Sequence, residues 1–134
     1  MPINKMMWKY SFFLVFLLFL SCSSVKPVYD SSVMVERYFR YAQDARNQRK
    51  YKLAMQYYDI IIDNFSNQPD KVASAQYEKG SLYYRMKKYK KAMEMFTAVM
   101  EKLNNPAIAQ SISPAVAYLT RDLGQKTSKL VNKD

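Results

Sequence analysis

The chain has 134 residues, of which 49% are hydrophobic, and its 21 Lys and Arg against 11 Asp and Glu give a formal net charge of +10. It contains no His, one Cys and two Gly, which excludes catalytic histidines, His-based zinc sites, internal disulfides and glycine-rich phosphate loops. The length fits one domain. Because no carboxylate pair or activated Ser or Lys stands out, we expect a protein that is not an enzyme and that needs no cofactor.

Residues 1–21 predict a secretory signal peptide. Lys5 and Lys9 precede an unbroken apolar run over residues 12–20. As a helix, this run would span only ~14 Å, about half of a bilayer core. A basic start, a short apolar segment and a small residue before a processing site are typical of signal peptides.

The sole cysteine, Cys22, closes that run in the sequence Leu-Ser-Cys-Ser-Ser. This segment resembles the lipobox of bacterial lipoproteins, with Phe19 where the family usually has Leu. The resemblance implies that Cys22 receives diacylglycerol and further acyl chains such as palmitate, and that it becomes the mature N-terminus. Ser23, where an Asp would favour the inner membrane, implies sorting to the outer membrane. The alternatives are an uncleaved membrane anchor and a buried cysteine.

Residues 22–32 predict a short tether, because they are rich in Ser and contain Lys26 followed by Pro27. Removal of residues 1–21 removes two Lys and no acids, which leaves a net charge of +8. Anionic lipid headgroups or an acidic protein surface would suit such a charge. We do not expect nucleic acid or a small-molecule substrate as a partner of an exported lipoprotein.

Residues 33–124 predict an all-α domain with an internal repeat. Apolar residues recur at helical spacing, and the alternation typical of strands is absent. We predict two helical hairpins, over residues 32–47 and 51–65 and over residues 71–86 and 89–103. A shift of 38 positions aligns Ala42 with Gly80, Tyr51 with Tyr89, Ala54 with Ala92, Tyr58 with Phe96, and Phe65 with Leu103.

This spacing of a small residue, Tyr, Ala and an aromatic resembles the tetratricopeptide repeat (TPR). The small residues let crossing helices approach, and the aromatics fill the space between hairpins. The period exceeds the usual one of about 34 residues, and the additional residues fall around Ser66–Val72. Ala45 also stands where the family usually has an aromatic, as the second hairpin has in Tyr83.

The segment after the second hairpin predicts a capping helix over residues 106–123, which would complete a short α-solenoid. Ser113 and Pro114 suit the N-cap and the first position of a helix, and Gly124 suits its end. The helix would cover the open apolar side of the second hairpin, as repeat arrays require. Residues 125–134 are expected to form a polar tail.

A lipidated TPR protein of this kind resembles the BamD family, the TPR lipoproteins of the outer-membrane β-barrel assembly machinery. The resemblance covers residues 33–123 and corresponds to the N-terminal half of that family. It implies a scaffold that is anchored at the periplasmic face of the outer membrane and that binds the β-barrel assembly subunit and other assembly lipoproteins. The alternatives are an adaptor lipoprotein of another cell-envelope complex and a surface-exposed lipoprotein.

In TPR proteins the first helix of each hairpin lines a concave groove, and the resemblance implies the same here. Tyr77 and Tyr84 would anchor an extended protein segment, while Arg46 and Arg85 would steer its carboxylates. The alternative is that the groove aromatics pack against the cap or each other. The implied groove residues are Phe39, Gln43, Arg46, Asn47, Tyr77, Ser81, Tyr84 and Arg85.

The turns of both hairpins are basic. Stacked hairpins place corresponding turns on one side, so these cations would form one basic edge that docks on phospholipid or on an acidic partner. The alternative is an ordinary solvated turn. The basic edge comprises Arg49, Lys50, Lys52, Lys87, Lys88, Lys90 and Lys91.

Two further clusters are assigned no site. Asp59 and Asp63 lie one helical turn apart, but without His or further carboxylates they predict solvated charge and no metal site. Methionines recur on the last helix of the second hairpin, and we expect them to fill the core. These are Met93, Met95 and Met100.

Overall fold

The structure, a computed structural model, describes residues 25–132. The predicted signal peptide, Cys22 and the last two residues lie outside this range. The described part is all-α and contains six helices, which confirms the predicted fold class. The helices are α1 (Val35–Asn47), α2 (Tyr51–Asn64), α3 (Pro69–Arg85), α4 (Tyr89–Leu103), α5 (Pro106–Ala109) and α6 (Pro114–Val131).

Two helical hairpins, α1–α2 and α3–α4, form the body of the fold. α3 begins at Pro69, two residues before the predicted start, because Pro suits the first position of a helix. Asp70 follows in the first turn, where a carboxylate is favoured by the helix dipole. The small and aromatic residues that carry the repeat are buried in both hairpins: Ala42, Ala54, Tyr58, Gly80, Ala92 and Phe96.

The turn within each hairpin has the same unusual backbone. Arg49 and Lys87, 38 residues apart, have positive φ angles of 59° and 58°, and they are the two non-glycine residues in the described part that do so. In the first turn, the N–H of Lys50 donates to the carbonyl of Ala45 at 2.8 Å, and the N–H of Arg49 donates to that of Arg46 at 2.9 Å. These bonds, repeated in the second turn, define a Schellman motif that ends α1 and α3.

Ion pairs join the two hairpins. Arg46 of α1 donates to Glu78 of α3 at 2.8 Å, and Lys71 of α3 lies 3.3 Å from Glu36 of α1. Beneath these ion pairs, α2 packs against α3 through apolar side chains. Ala75 and Leu82 lie in one cluster with Tyr58 and Ile61. Burial of this apolar area is the main source of stability, and surface ion pairs contribute on the order of 0–1 kcal/mol each.

The predicted capping helix over residues 106–123 is two helices in the structure, the short α5 and the long α6, and the assignment of Gly124 as its end was wrong. α6 continues to Val131, and Gly124 is a buried residue inside it without a positive φ angle. Thr120 and Thr127 are buried on the same side, where α6 packs on α4. Residues 125–131 therefore belong to the capping helix and not to a polar tail.

The predicted tether is also shorter than expected. Tyr29 packs its ring against Tyr38 at 6.2 Å and against Phe65 at 5.8 Å between centroids. The N–H of Asp30 donates to the hydroxyl of Tyr38 at 2.7 Å. Residues from Tyr29 onward are therefore held beside the start of α1 and the end of α2.

Candidate functional site

The predicted groove residues fall into two groups in the structure. Gln43, Asn47 and Arg85 are exposed, and they are available to a partner. The aromatics are half-buried, and each packs against another ring. Phe39 lies 6.2 Å from Tyr58, Tyr77 lies 6.3 Å from Phe96, and Tyr84 lies 5.6 Å from Tyr89, measured between ring centroids.

Tyr77 is less exposed than the sequence predicted for an anchor residue of the groove. It packs against the cluster of Ala73, Val99 and Ile112, which ties α3 and α4 to the segment before α6. The hydroxyl of Ser81 is buried and has no hydrogen-bond partner among the described residues. Tyr77 is therefore held partly by the core and the Ser81 hydroxyl is hidden, while Tyr84, also half-buried, packs on Tyr89.

Arg46 is engaged within the protein. Its guanidinium pairs with Glu78, and both side chains are about one third exposed. The nearby hydroxyl of Tyr58 is buried without a hydrogen-bond partner among residues 25–132, and burial, followed by the charge of Glu78, raises its pKa to about 12. Of the two predicted steering arginines, Arg85 is thus the one left without a salt bridge among the described residues.

α6 adds an aromatic to this face that sequence reasoning did not assign. Tyr118 is 69% exposed. It lies four and eight residues before Asp122 and Lys126, so the three share one side of the helix. Lys126 donates to Asp122 at 2.7 Å. This bond raises the pKa of Lys126, and α6 packs against α3 as well as against α4.

The first-helix face, as we call it, is thus formed by α1, α3 and α6. Its exposed or half-exposed members are Gln43, Asn47, Tyr84, Arg85, Tyr118, Asp122 and Lys126. Amphipathic rings beside adaptable polar groups suit a protein surface or an extended segment. The exposure of Tyr118 could not be anticipated while α6 was interpreted only as a cap.

All seven residues of the predicted basic edge are exposed. No salt bridge joins any of them to a carboxylate within residues 25–132. Lys87 to Lys91 surround a shallow depression of about 380 Å³, and the Nζ of Lys91 lies 5.9 Å from the ring centroid of Tyr83. The structure therefore gathers these cations at the two hairpin turns.

The remaining candidate residues give weaker support for a functional site. Asp59 forms an ion pair with Lys79, whose side chain is only 13% exposed. Met93 lines a shallow depression of about 470 Å³ on the outer side of α4, beside Val131. The described residues contain no group of three or more side chains that could hold a metal ion. Within the same range, no helix combines the length with the hydropathy that crossing a bilayer requires.

Comparison of the chain with protein-family models, with curated proteins and with solved structures found no match.

Proposed function

We propose that this protein is a non-catalytic scaffold lipoprotein that takes part in the assembly and insertion of outer-membrane β-barrel proteins. The first-helix face supports this proposal, because three helices present rings and polar groups side by side. The resemblance of the sequence around Cys22 to a lipobox, and of the repeat to the BamD family, supplies the anchor and the partner.

In this proposal, Cys22 carries the lipid at the periplasmic face of the outer membrane. Tyr84 and Tyr118 are the main contact residues, since Tyr118 is exposed and Tyr84 lies at the border of the same face. Arg85 would meet carboxylates of the partner. Tyr77 and Arg46 would support the face from below, through the apolar cluster and the pair with Glu78.

A pull-down from detergent-solubilised envelope tests the proposal. The Tyr84→Ala/Tyr118→Ala variant is compared with the full wild-type chain and with Tyr41→Ala/Tyr57→Ala. The control pair lies on α1 and α2 away from the first-helix face, with rings 5.4 Å apart. Circular dichroism must first show that both variants are folded.

We expect the β-barrel assembly subunit to co-purify with the wild type and the control, and to be lost from the Tyr84→Ala/Tyr118→Ala variant. Recovery of a different cell-envelope complex would favour the adaptor alternative. Digestion of the domain by protease added to intact cells would favour a surface-exposed lipoprotein. Equal recovery of the assembly subunit with both variants would remove the first-helix face from the proposal.

A further inference from the structure

We propose that the basic edge docks an acidic, extended segment of a partner protein. The first argument is the distribution of ion pairs. Outside the edge, some cations are paired across the fold, as in Arg46 with Glu78 and Lys79 with Asp59, and others, such as Arg85, have no salt bridge among the described residues. At the edge, no carboxylate among the described residues pairs with any of the seven cations. What sets the edge apart is that seven such cations are concentrated at two corresponding turns, and this concentration favours a partner that supplies the complementary charge.

The second argument is that these cations stand where the backbone disfavours them. Arg49 and Lys87 occupy left-handed positions, which usually belong to glycine. Neither α2 nor α4 has an acid in its first turn, although the positive end of the helix dipole favours one. Lys52 and Lys90 stand in those turns instead. Local conflicts of this kind are expected at functional sites, and this one occurs in both hairpins.

The end of α6 extends the edge. Val131 lines a depression together with Lys90 and Met93, so the last turn of α6 lies beside the start of α4. This turn carries Lys129, which is exposed. Neighbouring helices lie about 8–10 Å apart, and an extended chain rises about 3.3 Å per residue. A segment of about six residues could therefore reach cations of both hairpins.

The third argument separates a protein from a membrane, and it rests on the lipid anchor of the proposed function. Tyr29, from which the chain leads back to Cys22, packs beside the start of α1, whereas Arg49 follows the end of α1. A helix of 13 residues is about 20 Å long. The basic edge and the attachment of the tether thus lie at opposite ends of the first hairpin.

The end near the tether is close to charge balance. Its carboxylates stand beside a similar number of cations, so nothing concentrates positive charge toward the anchored bilayer. The carboxylates are Asp30, Glu36, Asp63 and Asp70, and the cations are Lys26, Arg37 and Lys71. The excess of positive charge therefore lies at the end of the hairpin away from the anchor, and an acidic protein segment can reach it there.

The test compares two charge-reversal variants of the full chain, purified in a non-ionic detergent. The edge variant is Lys50→Glu/Lys88→Glu/Lys90→Glu. The control variant, Arg37→Glu/Arg40→Glu/Arg121→Glu, changes the net charge equally at exposed positions outside the edge. The probe is a fluorescent peptide of about eight glutamates, and its binding is followed by anisotropy at increasing salt concentrations after circular dichroism has shown that both variants are folded.

We expect the edge variant to bind the peptide about tenfold or more weakly than the wild type, with a flatter salt dependence, and the control to bind nearly as well as the wild type. An equal loss in both variants would overturn the proposal, because it would show attraction by net charge alone. So would undiminished binding by the edge variant.

The second arm measures flotation of the same proteins with vesicles of phosphatidylglycerol and phosphatidylethanolamine. Any anchor contributes equally to both variants, so that only their difference reports on the edge. We expect no difference; a lower partition of the edge variant than of the control would assign the surface to lipid and overturn the proposal. Neither arm uses the β-barrel assembly subunit, so failure here is distinguishable from failure of the pull-down.

Discussion

Gly80 of α3 lies directly against the ring of Phe96 of α4. A Cβ atom at residue 80 would come within 2.7 Å of Cε1 of Phe96 and 3.1 Å of Cβ of Met95. The glycine is thus required by the close approach of two helices and not by its own backbone, which is helical. The corresponding position of the first hairpin holds Ala42, which is fully buried.

Gly80→Ala should lower the free energy of unfolding by about 1–3 kcal/mol, because the added methyl group forces Phe96 or the helices to move. The matched control is Gly124→Ala in α6. A Cβ atom there would meet Met100 Cε and Phe96 Cβ at 3.7 Å, which is ordinary contact. That change should stabilise the protein by up to about 1 kcal/mol through helix propensity. Denaturant unfolding of the full chain in detergent measures both, and effects of the same sign would contradict the packing described here.

Ala54 of α2 and Ala92 of α4 lie at the same helix crossings, on the second helix of each hairpin. Both are fully buried, so Ala54→Leu and Ala92→Leu should each lower the melting temperature, at a cost of about 1–3 kcal/mol or more. Ala115→Leu on the exposed part of α6 is the control and should change the melting temperature little. An unchanged melting curve for the buried variants would mean that the repeat is aligned wrongly.

The register of the two hairpins could be predicted because few residue types satisfy a close helix crossing. Small residues at 42, 54, 80 and 92 and rings at 58 and 96 leave one alignment, and the structure buries all of them. Fold class and the bounds of the four hairpin helices follow from that register to within two or three residues.

Prediction from the sequence failed where one residue type can serve two structural purposes. A glycine near the end of an apolar pattern predicts a helix terminus, but Gly124 instead lets α6 approach α4. The left-handed backbone of Arg49 and Lys87 could not be predicted, because neither residue type is typical of a positive φ angle. The pairing of Arg46 with Glu78 could not be predicted either, because it depends on how the two hairpins stack.

The left-handed turns give the next prediction. Arg49→Gly and Lys87→Gly should each raise the free energy of unfolding by about 1 kcal/mol, because glycine adopts a positive φ angle without steric cost. Lys52→Gly, one residue inside the start of α2, should have the opposite effect of about 1 kcal/mol. If Arg49→Gly destabilises as much as Lys52→Gly, Arg49 does not have the left-handed conformation.

The hydroxyl of Tyr58 is buried without a hydrogen-bond partner among the described residues, and the second hairpin has Phe96 at the same position. Tyr58→Phe should therefore leave stability unchanged or raise it by about 1 kcal/mol. The reverse exchange, Phe96→Tyr, is the control and should destabilise by about 1–3 kcal/mol, because it buries a new hydroxyl. A clear loss of stability in Tyr58→Phe would reveal a partner for this hydroxyl.

The same residue predicts a dependence on pH. The pKa of Tyr58 is raised to about 12 from its ordinary value of 10.0, so the unfolded chain loses this proton first as the pH rises. The stability that the neutral phenol contributes is complete below pH 10 and is lost between about pH 10 and 12. Wild type should therefore lose stability faster than Tyr58→Phe in this range, and parallel curves would contradict the raised pKa.

The last prediction concerns the anchor on which the proposed function depends. Cys22→Ala removes the sulfur to which diacylglycerol would be attached, and it should leave an unprocessed precursor, or a periplasmic form without acyl chains if another peptidase cuts. Labelling of growing cells with radioactive palmitate measures this directly. We expect strong incorporation in the wild type and none in Cys22→Ala, while Ser24→Ala, which leaves Cys22 in place, should be labelled like the wild type.

Stable anchoring requires more than one acyl chain, so the Cys22→Ala protein should also be absent from the outer-membrane fraction when membranes are separated by density. Incorporation of palmitate that survives Cys22→Ala would remove the lipoprotein assignment and the orientation argued for the basic edge, and it would leave the helical domain as described.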